Sequence, residues 1–173
     1  MVTRGHGEAT WDRIREVAGV DVEVFISMDS YPDALTYRLV GAAAHILGEE
    51  VPVLLHAFGR HWVLNTAAHH YGQLLQAGGR TFREFLLALP NFHARVALMM
   101  PQLVPPEFAC SDVAERSLHL HYRSQRAGLA PFVEGLIDGL GDLFKVAVRC
   151  ERLPHAADGP GHSVFAIGWS APA

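Results

Sequence analysis

The stretch Leu118-His119-Leu120-His121-Tyr122-Arg123-Ser124-Gln125-Arg126 decides the fold. Leu118, Leu120 and Tyr122 alternate with His119 and His121, a period of two that predicts a strand with one buried face. Its exit has the form Tyr-x-Ser-x-Arg. A phenol, a hydroxyl and a guanidinium fall on every second residue, so all three donors leave an extended backbone on the same side. Such a row suits a pair of carboxylates, because arginine offers a bidentate, charge-assisted contact and the hydroxyls add neutral donors. Upstream of Pro105-Pro106 the apolar residues recur every three to four positions, and downstream the pattern mixes strands with a helix. The chain therefore reads as α+β: a helical N-terminal part followed by a small antiparallel sheet with a crossing helix.

Upstream of that stretch, Ile14 and Val17 give Trp11 to Ala18 helical spacing, closed by Gly19, a residue free to take positive φ. A second helix runs from Asp33 through Tyr37, Val40, Ala44 and Leu47 to Gly48. Pro52 sits where a first-turn proline is tolerated, and Leu54, Phe58 and Trp62 continue at four-residue intervals through Gly59 toward His69-His70, which predicts a third, kinked helix. Thr81-Phe82-Arg83-Glu84 forms a capping box ahead of the apolar face Phe82, Phe85, Leu86, Leu89. Pro90 is expected to interrupt this helix, with Asn91 capping a new one from Phe92 to Met100 in which Val96, Ala97 and Met100 flank His93. Downstream, Val133, Leu136, Ile137 and Leu140 mark a helix from Pro131 to Leu143. Phe144, Val146, Val148 and Cys150 alternate as a strand, and beyond a turn-rich loop from Pro154 to Gly161, Phe165, Ile167 and Trp169 alternate as its antiparallel partner.

Composition bounds the function classes. With 173 residues, half of them hydrophobic and 18 % charged, the chain suits one domain over residues 1–173. Fourteen basic against 18 acidic residues give a net charge of −4 without long single-sign runs, which argues against nucleic acid as a partner. No run approaches the ~18 to 20 apolar residues that span a bilayer, and the N-terminus lacks a signal-peptide apolar region, so a cytoplasmic protein with no membrane partner is expected. Cys110 and Cys150 lie in no CxxC pair and read as buried thiols. His69-His70 are adjacent and point to different sides of a helix; His119 and His121 share a strand face but lack a carboxylate at fixed spacing. No HExxH, Walker A, GxSxG or GxGxxG motif occurs, so an enzyme, including a non-heme metal enzyme, is the weaker reading.

His93 stands apart from the other histidines, inside an apolar helix face. Neutral imidazole is a common axial ligand to heme iron, and apolar walls suit a porphyrin. A helix-borne ligand, an apolar wall and a carboxylate-binding strand together describe a heme site.

At these residues the chain resembles the heme nitric oxide/oxygen binding family, of which the N-terminal domain of the soluble guanylate cyclase beta subunit is a member. The family's central signature reads here as His93, Pro106, Tyr122, Ser124 and Arg126, and the segments 92–95, 106–112 and 120–129 are similar to it throughout. Trp11-Asp12-Arg13-Ile14, Phe58-Gly59-Arg60 and Arg83-Glu84-Phe85-Leu86 extend the resemblance over nearly the whole chain. It implies heme b (iron protoporphyrin IX) between the helical part and the sheet, with His93 as proximal iron ligand, Pro106 pressing on the porphyrin, Tyr122, Ser124 and Arg126 on the propionates, and Trp62 on the distal side. The tyrosine that oxygen-binding members use falls near Pro131 or Phe132, neither of which offers a hydroxyl. The resemblance further implies a sensor, not an enzyme. It would bind nitric oxide and carbon monoxide and signal to a separate histidine kinase or cyclase through a weakened or lost iron bond to His93. Family members usually begin with a further helix lining the distal face, whereas this chain begins just before Trp11. The expectation is a missing first helix, with a shifted segment or a homodimer covering that face. The alternative is the same fold without heme, as a structural or small-molecule-binding module.

Overall fold

Among the described residues two hydrophobic cores organise the chain, one all-helical and one shared between a sheet and the helices packed on it. The computed structural model describes residues 1–22, 25, 31–67, 69, 75, 78–99, 104–154 and 161–171. In chain order, α1 (Val2–His6), α2 (Glu8–Ala18), α3 (Asp33–Leu47) and α4 (Val51–His61) lead into a π-helical turn at Trp62–Ala67. Then come α5 (Phe82–Met99), β1 (Glu107–Ser111), β2 (Ser117–Arg123), α6 (Ala130–Phe144), β3 (Val148–Arg152) and β4 (His162–Trp169).

The all-helical core gathers Ile14 and Ala18 of α2, Ala42, Ala43 and Ala44 of α3, and Leu54 of α4. The helix ends follow the sequence signals: Gly19 (φ 60°) and Gly48 (φ 67°) both take the left-handed conformation that closes a helix. The third helix, expected to be kinked, continues past Gly59 and turns π-helical at Trp62–Ala67. His70 lies outside the described residues. Ahead of α2, the short α1 is an element the sequence reading did not anticipate.

The second core fills the space between the sheet and α5, α6 and the π-helical turn. All strand pairs are antiparallel, in the order β1-β2-β4-β3. Leu118, Leu120 and Tyr122 of β2 and Phe165 and Ile167 of β4 point inward, as the alternation predicts, onto Val133, Ile137 and Leu140 of α6. The α6 and α4 backbones touch: a methyl group on Gly135 would overlap the His56 carbonyl, and one on Gly59 the Phe132 carbonyl. Only glycine allows this approach.

Three further elements differ from the sequence reading. The edge strand β1 was not foreseen, because only Phe108 and Cys110 turn inward and two prolines precede it. The strand expected from Phe144 begins instead at Val148, since α6 runs through Phe144 and is closed by Lys145 at φ 57°, with the Val146 amide donating to the Gly141 carbonyl at 2.9 Å. Phe144 and Val146 still pack against the core, so the apolar pattern was real but belonged to a helix end. Third, α5 runs unbroken through Pro90, where an interruption with a fresh cap at Asn91 was expected. Among the described residues no single helix is long and apolar enough to cross a membrane.

Candidate functional site

The start of α5 is fixed locally. The Thr81 hydroxyl accepts from the Glu84 amide at 3.1 Å, and the Glu84 carboxylate accepts from the Arg80 amide at 2.8 Å, a capping box displaced by one residue on its return arm. Phe82, Phe85, Leu86 and Leu89 then bury the first half of the helix in the second core. His93 follows one turn after Leu89, with its Nδ1 3.1 Å from the Leu89 carbonyl oxygen. Since a carbonyl only accepts, Nδ1 carries the proton and the Nε2 lone pair is left available. Burial pushes the imidazole below its ordinary pKa, partly opposed by the Leu89 hydrogen bond, so the ring is neutral at pH 7. The side chains of Val96, Ala97 and Met100, expected beside it, lie outside the described set.

An aromatic path joins His93 to the carboxylate-binding row. The imidazole lies 4.6 Å from the Phe108 ring centroid, and Phe108 lies 5.5 Å from Tyr122, which it faces across the β1–β2 register. Tyr122 is buried, which raises its phenol pKa, while a hydrogen bond with Ser124 and the charge of Arg126 act in the opposite direction. The Ser124 hydroxyl accepts from the Arg126 amide at 3.1 Å, and its own amide donates to the Gly161 carbonyl at 2.9 Å. Arg126 Nε meets the Asp33 carboxylate at 2.9 Å, at the first residue of α3, and the Tyr37 hydroxyl donates to the Ala127 carbonyl at 2.9 Å. The guanidinium is thus presented to a carboxylate already. Neither α3 contact was legible in the sequence, because nothing local marks partners so far apart along the chain.

The other named residues take these places. Pro106 is half-buried at the entry to β1. Trp62 opens the π-helical turn and packs against the same core as Phe108. Pro131 and Phe132 form the first turn of α6, with the Phe132 ring 5.3 Å from Phe58. The π-helical turn also carries polar groups that sequence reasoning passed over: Asn65 bonds to His61 at 3.2 Å and accepts from Arg4 of α1 at 2.5 Å.

The histidines of β2 need one correction. His119 Nδ1 lies 2.8 Å from Asp112, Ser111 Oγ bridges Asp112 (3.0 Å) and His121 Nε2 (2.8 Å), and His121 Nδ1 meets His162 Nε2 at 3.1 Å. A carboxylate is therefore at hand, delivered by a turn in which Asp112 takes φ 49°, a conformation that sequence spacing does not disclose. Among the described residues no group of three or more His, Cys, Asp or Glu side chains could hold a metal ion.

The donor set around His93 fits a heme: one neutral imidazole with a free lone pair, flanking aromatic rings, and a phenol, hydroxyl and guanidinium row suited to two carboxylates. Fold and site together define the class, an α+β domain built around a helix-borne histidine and a Tyr-x-Ser-x-Arg segment at a strand exit. Residues 1–152 match the Haem-NO-binding (HNOB) family, and the chain belongs to it. This is a family of heme-binding sensor domains, not of catalytic ones.

Among its relatives, soluble guanylate cyclase gcy-31 of Caenorhabditis elegans is 32 % identical over 149 residues, covering 86 % of this chain and 21 % of that protein. Soluble guanylate cyclase 89Db of Drosophila melanogaster is 23 % identical over 134 residues, covering 78 % and 20 %. The chain thus spans about a fifth of the length of these relatives. Of solved structures, an H-NOX protein from S. oneidensis in the Fe(II)NO ligation state superposes with a TM-score of 0.85 at 20 % identity, covering 99 % of this chain and 94 % of that one. An oxygen-binding H-NOX domain related to soluble guanylate cyclases gives 0.81 at 20 % identity, covering 99 % and 90 %. At such identities the likeness establishes the fold.

Proposed function

We propose that this chain is a heme-based nitric oxide sensor in which His93 Nε2 is the axial ligand and Tyr122, Ser124 and Arg126 hold the propionates of heme b. The observation that carries this reading is the commitment of His93 Nδ1 to the Leu89 carbonyl, which fixes the tautomer and aims a neutral nitrogen away from the helix backbone. When bound, the heme supplies a ferrous iron able to take nitric oxide or carbon monoxide. Pro106 would press on the proximal face of the porphyrin and Trp62 would lie on the distal side. Pro131 and Phe132, where oxygen-binding members carry a tyrosine, present no hydroxyl to stabilise bound oxygen. A weakened or lost bond from His93 to the iron would free this segment of α5 to shift relative to the Tyr122–Arg126 anchor, which would give the two-state element that a signal requires. A separate histidine kinase or cyclase would read that change, in the cytoplasm, with α1 or a second copy of the chain covering the distal face.

The test is a hemin titration of the purified protein and of His93→Ala, each with and without added imidazole. The reading predicts a Soret band at one heme per chain for the wild type, loss of at least about 100-fold in affinity for His93→Ala, beyond the 10–100-fold typical of outer-sphere changes, and partial recovery with imidazole. A wild type that takes up no heme favours the heme-free module, and an unchanged His93→Ala spectrum removes His93 as ligand.

A further inference from the structure

Helix α5 carries its proline three residues before His93, in the middle of an unbroken helix. Pro90 has no N–H, so the Leu86 carbonyl, four residues earlier, loses its helical donor. Leu86 is fully buried, and water cannot serve that oxygen. The Cys110 thiol does so, lying 3.6 Å from Leu86 O. Burial raises the Cys110 pKa, which keeps the sulfur protonated and able to donate at neutral pH. The same strand touches both sides of the proline. Cys110 reaches the carbonyl before it, and Phe108, two residues away on the same face of β1, packs against the His93 ring beyond it. Burial is divided at the same point. Among the described side chains, Phe82, Phe85, Leu86 and Leu89 are buried, whereas beyond Pro90 Phe92 and His93 are half-buried and Asn91, Ala94, Arg95 and Leu98 are exposed.

We infer that Pro90 is a hinge and that Cys110 is the positioning residue that holds its fixed side: the thiol replaces the hydrogen bond Pro90 withholds from Leu86, clamping residues 82–89 to β1, so that displacement of His93 is taken up beyond the proline. Cys110 touches neither ligand nor iron in this account; it acts through the helix. The inference deepens the proposed switch by locating where α5 yields, but its folding test does not depend on heme.

A double-mutant cycle between Cys110→Ala and Pro90→Ala, measured by urea unfolding of the heme-free protein, tests it. Pro90→Ala restores an amide donor to Leu86, so the thiol becomes redundant. Cys110→Ala should lower the folding equilibrium constant about tenfold more with Pro90 present than with alanine there, the scale of one unsatisfied buried carbonyl. Packing lost with the sulfur cancels in the cycle. Cys110→Ser, which keeps a donor, should recover most of the loss. Amide hydrogen exchange supplies the positional readout. Cys110→Ala should speed exchange over residues 82–89, the clamped side, while leaving β2 and β4 protected, and Pro90→Ala should abolish that local effect. Equal cost of Cys110→Ala in both backgrounds, Cys110→Ser no better than Cys110→Ala, or uniformly faster exchange across the domain would each overturn the hinge. If the wild type also fails to take up heme, the proposed function falls while the cycle still decides the hinge.

Discussion

The two walls flanking the proposed heme position satisfy their polar groups over very different distances in sequence. On the proximal wall, His93 bonds one helical turn back to Leu89, Ser124 accepts from Arg126 two residues on, and Cys110 serves Leu86 from the adjoining strand. On the distal side, Arg4 reaches Asn65 across 61 positions and Tyr37 reaches Ala127 across 90. His93 and the Ser124 hydroxyl are thus positioned by local geometry, whereas the Cys110–Leu86 and Arg126–Asp33 contacts and the distal wall exist only once the strands and α1, α3 and α4 have packed. The difference predicts a proximal anchor that tolerates distal change, and a distal wall that depends on the contact between α4 and α6.

The largest effect should come from that contact. Gly135→Ala forces a methyl group into the His56 carbonyl, which backbone cannot absorb easily, and should cost about 3 kcal/mol, at the upper end of overpacking penalties. Urea unfolding would show it; a cost under about 0.5 kcal/mol would mean that the two helices separate readily.

A smaller effect divides the propionate row. Heme loss should be faster from Arg126→Ala than from Ser124→Ala, because a charge-assisted contact contributes about 1.5 to 3 kcal/mol against roughly 1 for a neutral one. Arg126 is half exposed and shared with Asp33, so the lower end of that range applies. Transfer of heme to an apoglobin acceptor measures both rates, and equal rates would take the row off the propionates.

The smallest effect compares the walls by pH. His93 and His61 are both held below the ordinary imidazole pKa, each chiefly by burial, His61 also by the N-terminal and Arg4 charges. The unfolded chain takes up protons near pH 6.5 while the folded one resists. Stability of the heme-free protein is therefore full above about pH 6.5 and declines as the pH falls toward the folded values. His93→Asn should flatten that decline more than His61→Asn, since the proximal ring is the more deeply buried. An identical decline in both variants would contradict the distinction.

Much of the proximal wall was legible because its signals are local: the Thr81 cap just ahead of α5 and the alternation of β2 ending at Tyr122; the extended row expected through Arg126 stops at the strand exit, since β2 ends at Arg123 and Gln125–Arg126 form a bend. Reading Pro90 as a break failed because a thiol from β1 meets the need the proline creates, and no local pattern announces Cys110. The edge strand β1 escaped notice because only two of its side chains, both half-buried, pack against the core. The Arg126–Asp33 and Arg4–Asn65 pairs, and the turn that brings Asp112 to His119, are products of tertiary packing, visible only after folding.

Gas binding to the reduced, heme-loaded protein tests the central claim most directly, with absorption spectra recorded without oxygen, then with nitric oxide, carbon monoxide or air. The account predicts distinct nitric oxide and carbon monoxide spectra, no lasting oxygen complex, and a nitric oxide spectrum showing His93 detached, matched by His93→Ala rescued with imidazole and then exposed to the same gas. A stable oxygen complex in air, or a nitric oxide spectrum in which His93 stays bound, would contradict it.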